Sequence, residues 1–166
     1  MRLSTRGQYA VRAMVYLACH GDGKPVALRD ISADEGISLS YLEQLFGKLR
    51  KGRVVRSVRG PGGGYVLARP TTEINVAEII TTVEEPLNPV ACLDDDSSGC
   101  ERAKRCSTQR VWKGLGEKIY EFLSSVTIED LKKQAKAAAS DGEAGGGGRA
   151  GRGGEDRRSG PERRSC

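Results

Sequence analysis

Apolar residues recur at three- and four-residue intervals over Tyr9, Ala10, Ala13, Met14, Leu17 and Ala18, which predicts a first helix with Ser4 as its cap. "HGDGKP" ends it with two glycines and a proline. A short helix follows within "VALRDISADEGI", with Leu28 and Ile31 as its apolar positions and Gly36 as its stop. In "SLSYLEQLFGKLRKG", Ser38 or Ser40 caps a third helix that puts Leu42, Leu45, Phe46 and Leu49 on one face and ends at Gly52. The chemistry then changes. "RVVRSVRGPGGGYVLARP" carries β-branched Val54, Val55 and Val58, a Gly-Pro-Gly-Gly-Gly turn and a second strand in "YVLA". "NVAEIITTVEE" reads as a further helix ahead of Pro86. Beyond it, Val111, Leu115, Ile119, Phe122 and Val126 are spaced by four, four, three and four, a long amphipathic helix from about Ser107 to Ser125. Thr127, with Asp130 three residues on, opens another helix. From about Ser140 glycine and charge take over, and the tail reads as disordered.

Three helices followed by a two-stranded hairpin is the order of a winged helix-turn-helix, whose third helix enters the major groove while the hairpin reaches the backbone or minor groove. The expected fold is mainly α with a small β-hairpin, a winged helix-turn-helix plus a long dimerisation helix. Its DNA-binding domain spans residues 1–70, a cysteine loop and dimerisation helices span 71–140, and the tail spans 141–166. The solvent face of the third helix offers Ser38, Ser40, Tyr41, Glu43, Gln44, Lys48 and Arg50. Hydroxyls and Gln44 can bond base edges or phosphates, and Glu43 can accept from a cytosine amino group. Because phosphates repel a carboxylate, Glu43 is expected to discriminate between sequences more than it adds affinity. In the wing, Arg56 and Arg59 stand beside glycines that allow close approach, and Arg59 suits a narrow minor groove.

Charge points the same way. Residues 1–69 carry 12 Lys and Arg against 5 Asp and Glu, whereas 70–140 carry 9 against 12. A basic N-terminal half implies a polyanionic partner, most simply double-stranded DNA. The glycine-rich tip also raises nucleotide binding, but it lies between two strands and lacks the Lys-Ser/Thr and helix of a phosphate loop. No apolar run approaches the roughly 20 residues that span a bilayer, so no membrane partner is expected. Arg12 interrupts the apolar stretch near the N-terminus and no small-residue cleavage pattern closes it, so the chain is expected in the cytoplasm.

The stretch "ACLDDDSSGCERAKRCSTQRVW" then stands out, because it clusters Cys92, Cys100 and Cys106 of the chain's five cysteines among polar residues. In a reducing compartment such clustering favours metal or redox chemistry over disulfides. The intervals, seven residues and then five, lack the Cys-x-x-Cys of common zinc and ferredoxin sites, so spacing alone is a weak signal. Asp94, Asp95 and Asp96 can offer oxygen or simply solvate the loop. Cys19 is expected as a small core side chain, Cys166 as incidental, and His20 as solvent-facing.

Taken together, "MRLSTRGQYAVRAM", "ISLSYLEQLFGKLRK", "VRGPGGGY" and the three downstream cysteines resemble the IscR family of iron–sulfur regulators, from Met1 to about Leu131. The resemblance implies a homodimeric winged-helix transcription factor that holds an iron–sulfur cluster and represses or activates promoters of cluster-biogenesis genes according to cluster occupancy. It places Ser38, Ser40, Glu43 and Gln44 where bases are read and Arg59 where the wing enters the minor groove. It also implies three cysteine ligands and a histidine three residues after the third. Here that residue is Gln109, a neutral amide and a poor partner for iron beside soft thiolates. Two arrangements stay open. A 2Fe–2S cluster, the favoured one, is held by Cys92, Cys100, Cys106 and Gln109 or another oxygen; a 4Fe–4S cluster is held by the three thiolates with one iron open, as in related nitric-oxide and iron sensors.

Two-fold symmetry implies a pseudo-palindromic operator. A regulator of the same fold without a cluster is the binding-module rival. An electron-transfer protein or enzyme would leave the basic wing unexplained, and no substrate-pocket signature supports one.

Overall fold

Ser4 opens the first helix as its residue type predicts: its hydroxyl accepts from the Arg6 amide at 3.1 Å, and α1 runs over Thr5–Gly21. The structure, a computed structural model, describes residues 4–83, 87, 89, 90 and 106–144. Helix α2 (Leu28–Glu35) ends at Gly36, whose φ of 65° is the left-handed conformation that glycine adopts without strain. Ile37 plugs the short turn into the core, and α3 (Leu39–Lys51) follows. Leu42, Leu45, Phe46 and Leu49 are all buried, so the apolar stripe faces inward and the polar stripe outward. Arg12 fastens α1 to the end of α2. Its guanidinium lies 2.7 Å from the Glu35 carboxylate and also donates to the Glu35 carbonyl at 2.9 Å.

Strands β1 (Val55–Val58) and β2 (Gly64–Leu67) pair antiparallel, with Val55 opposite Leu67 and Val58 opposite Gly64. Val26 joins the edge of this hairpin. It exchanges two backbone hydrogen bonds with Tyr65, at 3.0 and 2.9 Å. The approach is close enough that a Cβ on Gly64 would sit 2.2 Å from the Val26 carbonyl oxygen, so only glycine fits there. Tyr65 then meets Phe46 edge-on at 4.9 Å, which ties the base of the hairpin to α3.

A 3-10 turn at Thr71–Glu73 leads to α4 (Val76–Thr82), capped by Asn75. Two 17-residue helices complete the described fold, α5 (Gln109–Ser125) and α6 (Ile128–Ala144). At their junction Val76 donates to the Val126 carbonyl at 3.0 Å and Ile128 donates to the Ile74 carbonyl at 2.9 Å. That short bridge buries Ile128 completely and returns α6 onto α1 and the 3-10 turn. Thr71 donates to Glu129 at 2.6 Å, and Lys132 lies 3.3 Å from Asp22. Val76, Ala77, Ile80 and Leu87 form a second, smaller core against Leu123, Val126 and Leu131. Helix α6 continues to Ala144, past the point near Ser140 where the tail was expected to start.

Thr127 and Asp130 form a reciprocal cap. The Thr127 hydroxyl donates to the carboxylate at 2.6 Å, and the Asp130 amide donates to that hydroxyl at 3.2 Å. The Thr127 hydroxyl and then its amide hold the Asp130 carboxyl below the ordinary aspartate value. A depressed carboxyl stabilises the fold above its unfolded pKa, and that contribution disappears as the pH falls through the folded value. Thr127→Ala is therefore expected to lower stability at neutral pH and to lower it less at acidic pH, as read by urea unfolding at both. An equal loss at both would detach the cap from the titration.

Candidate nucleic-acid interface and cysteine site

Helix α3 and the wing tip face one another across an open groove of about 590 Å³. Leu39 and Glu43 line its α3 side, Gly60 to Gly64 its wing side, and Leu28 and Arg29 of α2 its end. The tip is shaped by glycines: Gly60 and Gly62 have φ of 108° and 72°, values side chains rarely adopt. Backbone amides and carbonyls can therefore come close to whatever enters the groove. Ser38, Ser40, Glu43, Gln44 and Arg50 are exposed on or beside α3, and Arg59 is exposed at the wing tip. Ser38 occupies the cap position without a side-chain cap bond, which leaves its hydroxyl to a ligand.

Two expected residues lie elsewhere. Tyr41 is half-buried, its ring edge-on to Tyr9 at 6.0 Å, so it braces α3 against α1. Arg56 is exposed, yet it lines a separate cleft beside the base of the hairpin. Sequence reasoning passed over Arg29 and Leu39. The signal was available: a basic residue opens α2, and an apolar residue opens α3 outside its buried stripe.

Cys106 immediately precedes α5. It is half-exposed and free, with its sulfur 3.4 Å from the Thr108 hydroxyl. The Thr108 hydroxyl, followed by backbone amides of Thr108 and Gln109, lowers the thiol pKa. Position and environment both favour the thiolate, the form that ligates metal. Gln109 is the first residue of α5, and its amide donates to the Cys106 carbonyl at 3.4 Å. Cys92, Cys100, Asp94, Asp95, Asp96 and Cys166 lie outside the described residues. Among the described residues no three His, Cys, Asp or Glu side chains gather as a metal site.

The two remaining candidates differ from expectation. Cys19, expected as a small core side chain, is half-buried in the last turn of α1. His20 is half-buried rather than solvent-facing, because its ring stacks on Tyr16 at 4.0 Å and its Nδ1 lies 3.0 Å from the Tyr16 carbonyl.

Helix α5 carries an exposed apolar face. Val111, Leu115 and Phe122 share it and are 63%, 43% and 65% exposed. Its other side packs: Gly116 is buried in mid-helix, and Leu123 packs on the second core near the far end. No described helix is long and apolar enough to cross a membrane.

The chain is similar to known transcriptional regulators. IscR of Xenorhabdus nematophila, a helix-turn-helix transcriptional regulator, is 50% identical over 133 residues, 80% of each chain. A putative regulator of the same type from Azotobacter vinelandii is 51% identical over 131 residues, 79% of each. Among solved structures, T. potens IscR aligns with a TM-score of 0.67 at 38% identity, covering 83% of this chain and 90% of that one. CymR, the global cysteine regulator of B. subtilis, aligns at 0.66 and 36% identity, covering 81% and 98%. The winged helix-turn-helix is thus shared with transcriptional regulators. The pattern of the Rrf2 family, iron-dependent transcriptional regulators, matches residues 3–134, and the chain belongs to that family as an IscR-type DNA-binding regulator.

Proposed function

We propose that the chain acts in the cytoplasm as a homodimeric sensor of iron–sulfur status, controlling cluster-biogenesis genes from a pseudo-palindromic operator. The observation that carries this reading is the placement of α5. Cys106 stands at its start, an exposed apolar face runs along it, and its far end is bridged by backbone into the domain that carries α3 and the wing. One helix thereby links the cysteine loop, the dimer seam and the reading head. Cys92, Cys100 and Cys106 would hold the cluster, and a bound cluster supplies iron chemistry responsive to oxygen, nitric oxide and iron supply. Cys106 suits that role, being accessible and biased toward the thiolate.

Gln109 decides between cluster types. With Gln109 or another oxygen as fourth ligand, a 2Fe–2S cluster is favoured. A second reading, 4Fe–4S with an open iron, is favoured by the replacement of imidazole with an amide and by the engagement of His20 with Tyr16. Visible absorbance with iron and sulfide analysis after anaerobic purification tests the proposal. Equal iron and sulfide with a visible chromophore is expected; a colourless, iron-free protein would leave a clusterless regulator.

The reading head has its own tests. Arg59→Ala is expected to weaken operator binding about tenfold and to reduce the slope of affinity with salt by about one unit, as measured by fluorescence anisotropy across salt. Unchanged affinity would remove the wing from the interface. Glu43→Ala is expected to broaden the bound sequences in a selection from random duplexes while keeping affinity for the best one. Uniform loss in a folded variant would make Glu43 a structural residue instead.

A further inference from the structure

A second cleft, of about 270 Å³, opens between the end of α1, the hairpin and α6, and it shares no lining residue with the groove at the wing tip. Its floor is apolar, formed by Leu17, Ala18, Val66 and Leu67. Its rim is cationic. Lys24, Arg56, Arg69 and Lys132 surround it, and among the described lining residues Asp22 alone is a carboxylate. Two of the cations are held in place by partners: Arg69 pairs with Glu78, and Lys132 lies 3.3 Å from Asp22 with its side chain only 17% exposed. Lys24 and Arg56 are exposed and make no ion pair among the described residues.

We infer that this cleft is a binding site for a small organic dianion, a short-chain dicarboxylate. Two cations without carboxylate partners match two carboxylates, because charge-assisted contacts at both ends fix the ligand's length and orientation. The apolar floor accepts the carbon skeleton between them, which a bare inorganic anion would leave uncovered. The cleft, at about 270 Å³, is large enough to admit such an acid. Its walls also give binding a consequence. Arg56, Val66 and Leu67 belong to the hairpin, whereas Lys132 belongs to α6, the helix after the α5 seam. An occupant therefore ties the wing to the dimerisation arm and biases the pose in which the wing meets DNA.

Titration calorimetry of the full chain with succinate, at constant ionic strength, tests the site. Saturable binding of one succinate per chain is expected, with inorganic phosphate and chloride binding at least about tenfold more weakly. Lys24→Gln and Arg56→Gln are each expected to weaken succinate about tenfold or more. Lys24→Gln, an exposed substitution, is expected to keep the wild-type unfolding curve and operator affinity without succinate. Absence of saturable binding overturns the proposal, as does undiminished binding in both variants. Phosphate binding as tightly as succinate would make the cleft a general anion site. Displacement of succinate by short random-sequence duplex, with equal loss of duplex affinity in Lys24→Gln, would make it part of the DNA contact. Either result overturns the assignment.

Discussion

In the dimer proposed on α5, replacing Phe122 with arginine is expected to leave a folded monomer and to lower operator affinity by about 100-fold or more. Phe122 is 65% exposed in the single chain, so the substitution disturbs little of that chain's own packing. In a dimer built on α5, Val111, Leu115 and Phe122 lie in the seam, and two arginines facing one another there are desolvated without partners. Operator affinity then falls because each half-site is held alone. Leu115→Arg is a second route to the same outcome, since it occupies the same face at 43% exposure. Sedimentation velocity reads the mass, and anisotropy on one-site and two-site duplexes reads the affinity. An undiminished dimer in both variants would move the subunit contact off α5.

The cysteines carry the other large effect. Cys92→Ala, Cys100→Ala and Cys106→Ala are each expected to abolish the visible chromophore and bound iron, because two thiolates supply too few anionic ligands. Cys19→Ala and Cys166→Ala are expected to retain the chromophore. Gln109→His separates the cluster types. Beside an oxygen-ligated 2Fe–2S cluster, imidazole is expected to shift the visible spectrum and slow cluster loss in air. Beside a 4Fe–4S cluster with an open iron, the wild type is expected to react rapidly with nitric oxide and the histidine to change little. Full iron and sulfide in all three cysteine variants would remove the cradle.

Most of the reading head was legible because its determinants are local. Leu42, Leu45, Phe46 and Leu49 mark the buried face of α3 by spacing alone, and the glycines of the wing tip announce backbone that side chains rarely adopt. The Thr127–Asp130 cap was equally visible, since both partners lie within one turn. The return of α6 was not. It depends on backbone bonds between Ile74, Val76, Val126 and Ile128, which no side-chain pattern encodes, and Ile128 falls outside the apolar seam read along α5. The far end of α6 was missed because its alanine-rich stretch propagates helix into residues whose composition reads as tail. Tyr41 shows the limit of face-reading. Its place on the polar stripe suggests solvent, but an aromatic ring within reach of Tyr9 buries itself instead. The effect of Thr108 on Cys106 was not legible either, because it requires the geometry of the turn before α5.

The most direct test of cluster sensing is operator affinity with and without the cluster. A duplex selected from a random pool is titrated anaerobically, at one fixed salt concentration, with cluster-loaded protein and with the same preparation after cluster removal. A change of about tenfold or more between the two forms is expected, with two copies bound per duplex in the tighter complex. Equal affinity and equal stoichiometry for both forms would contradict cluster sensing and leave a DNA-binding protein whose cysteine loop does not report to α3 and the wing.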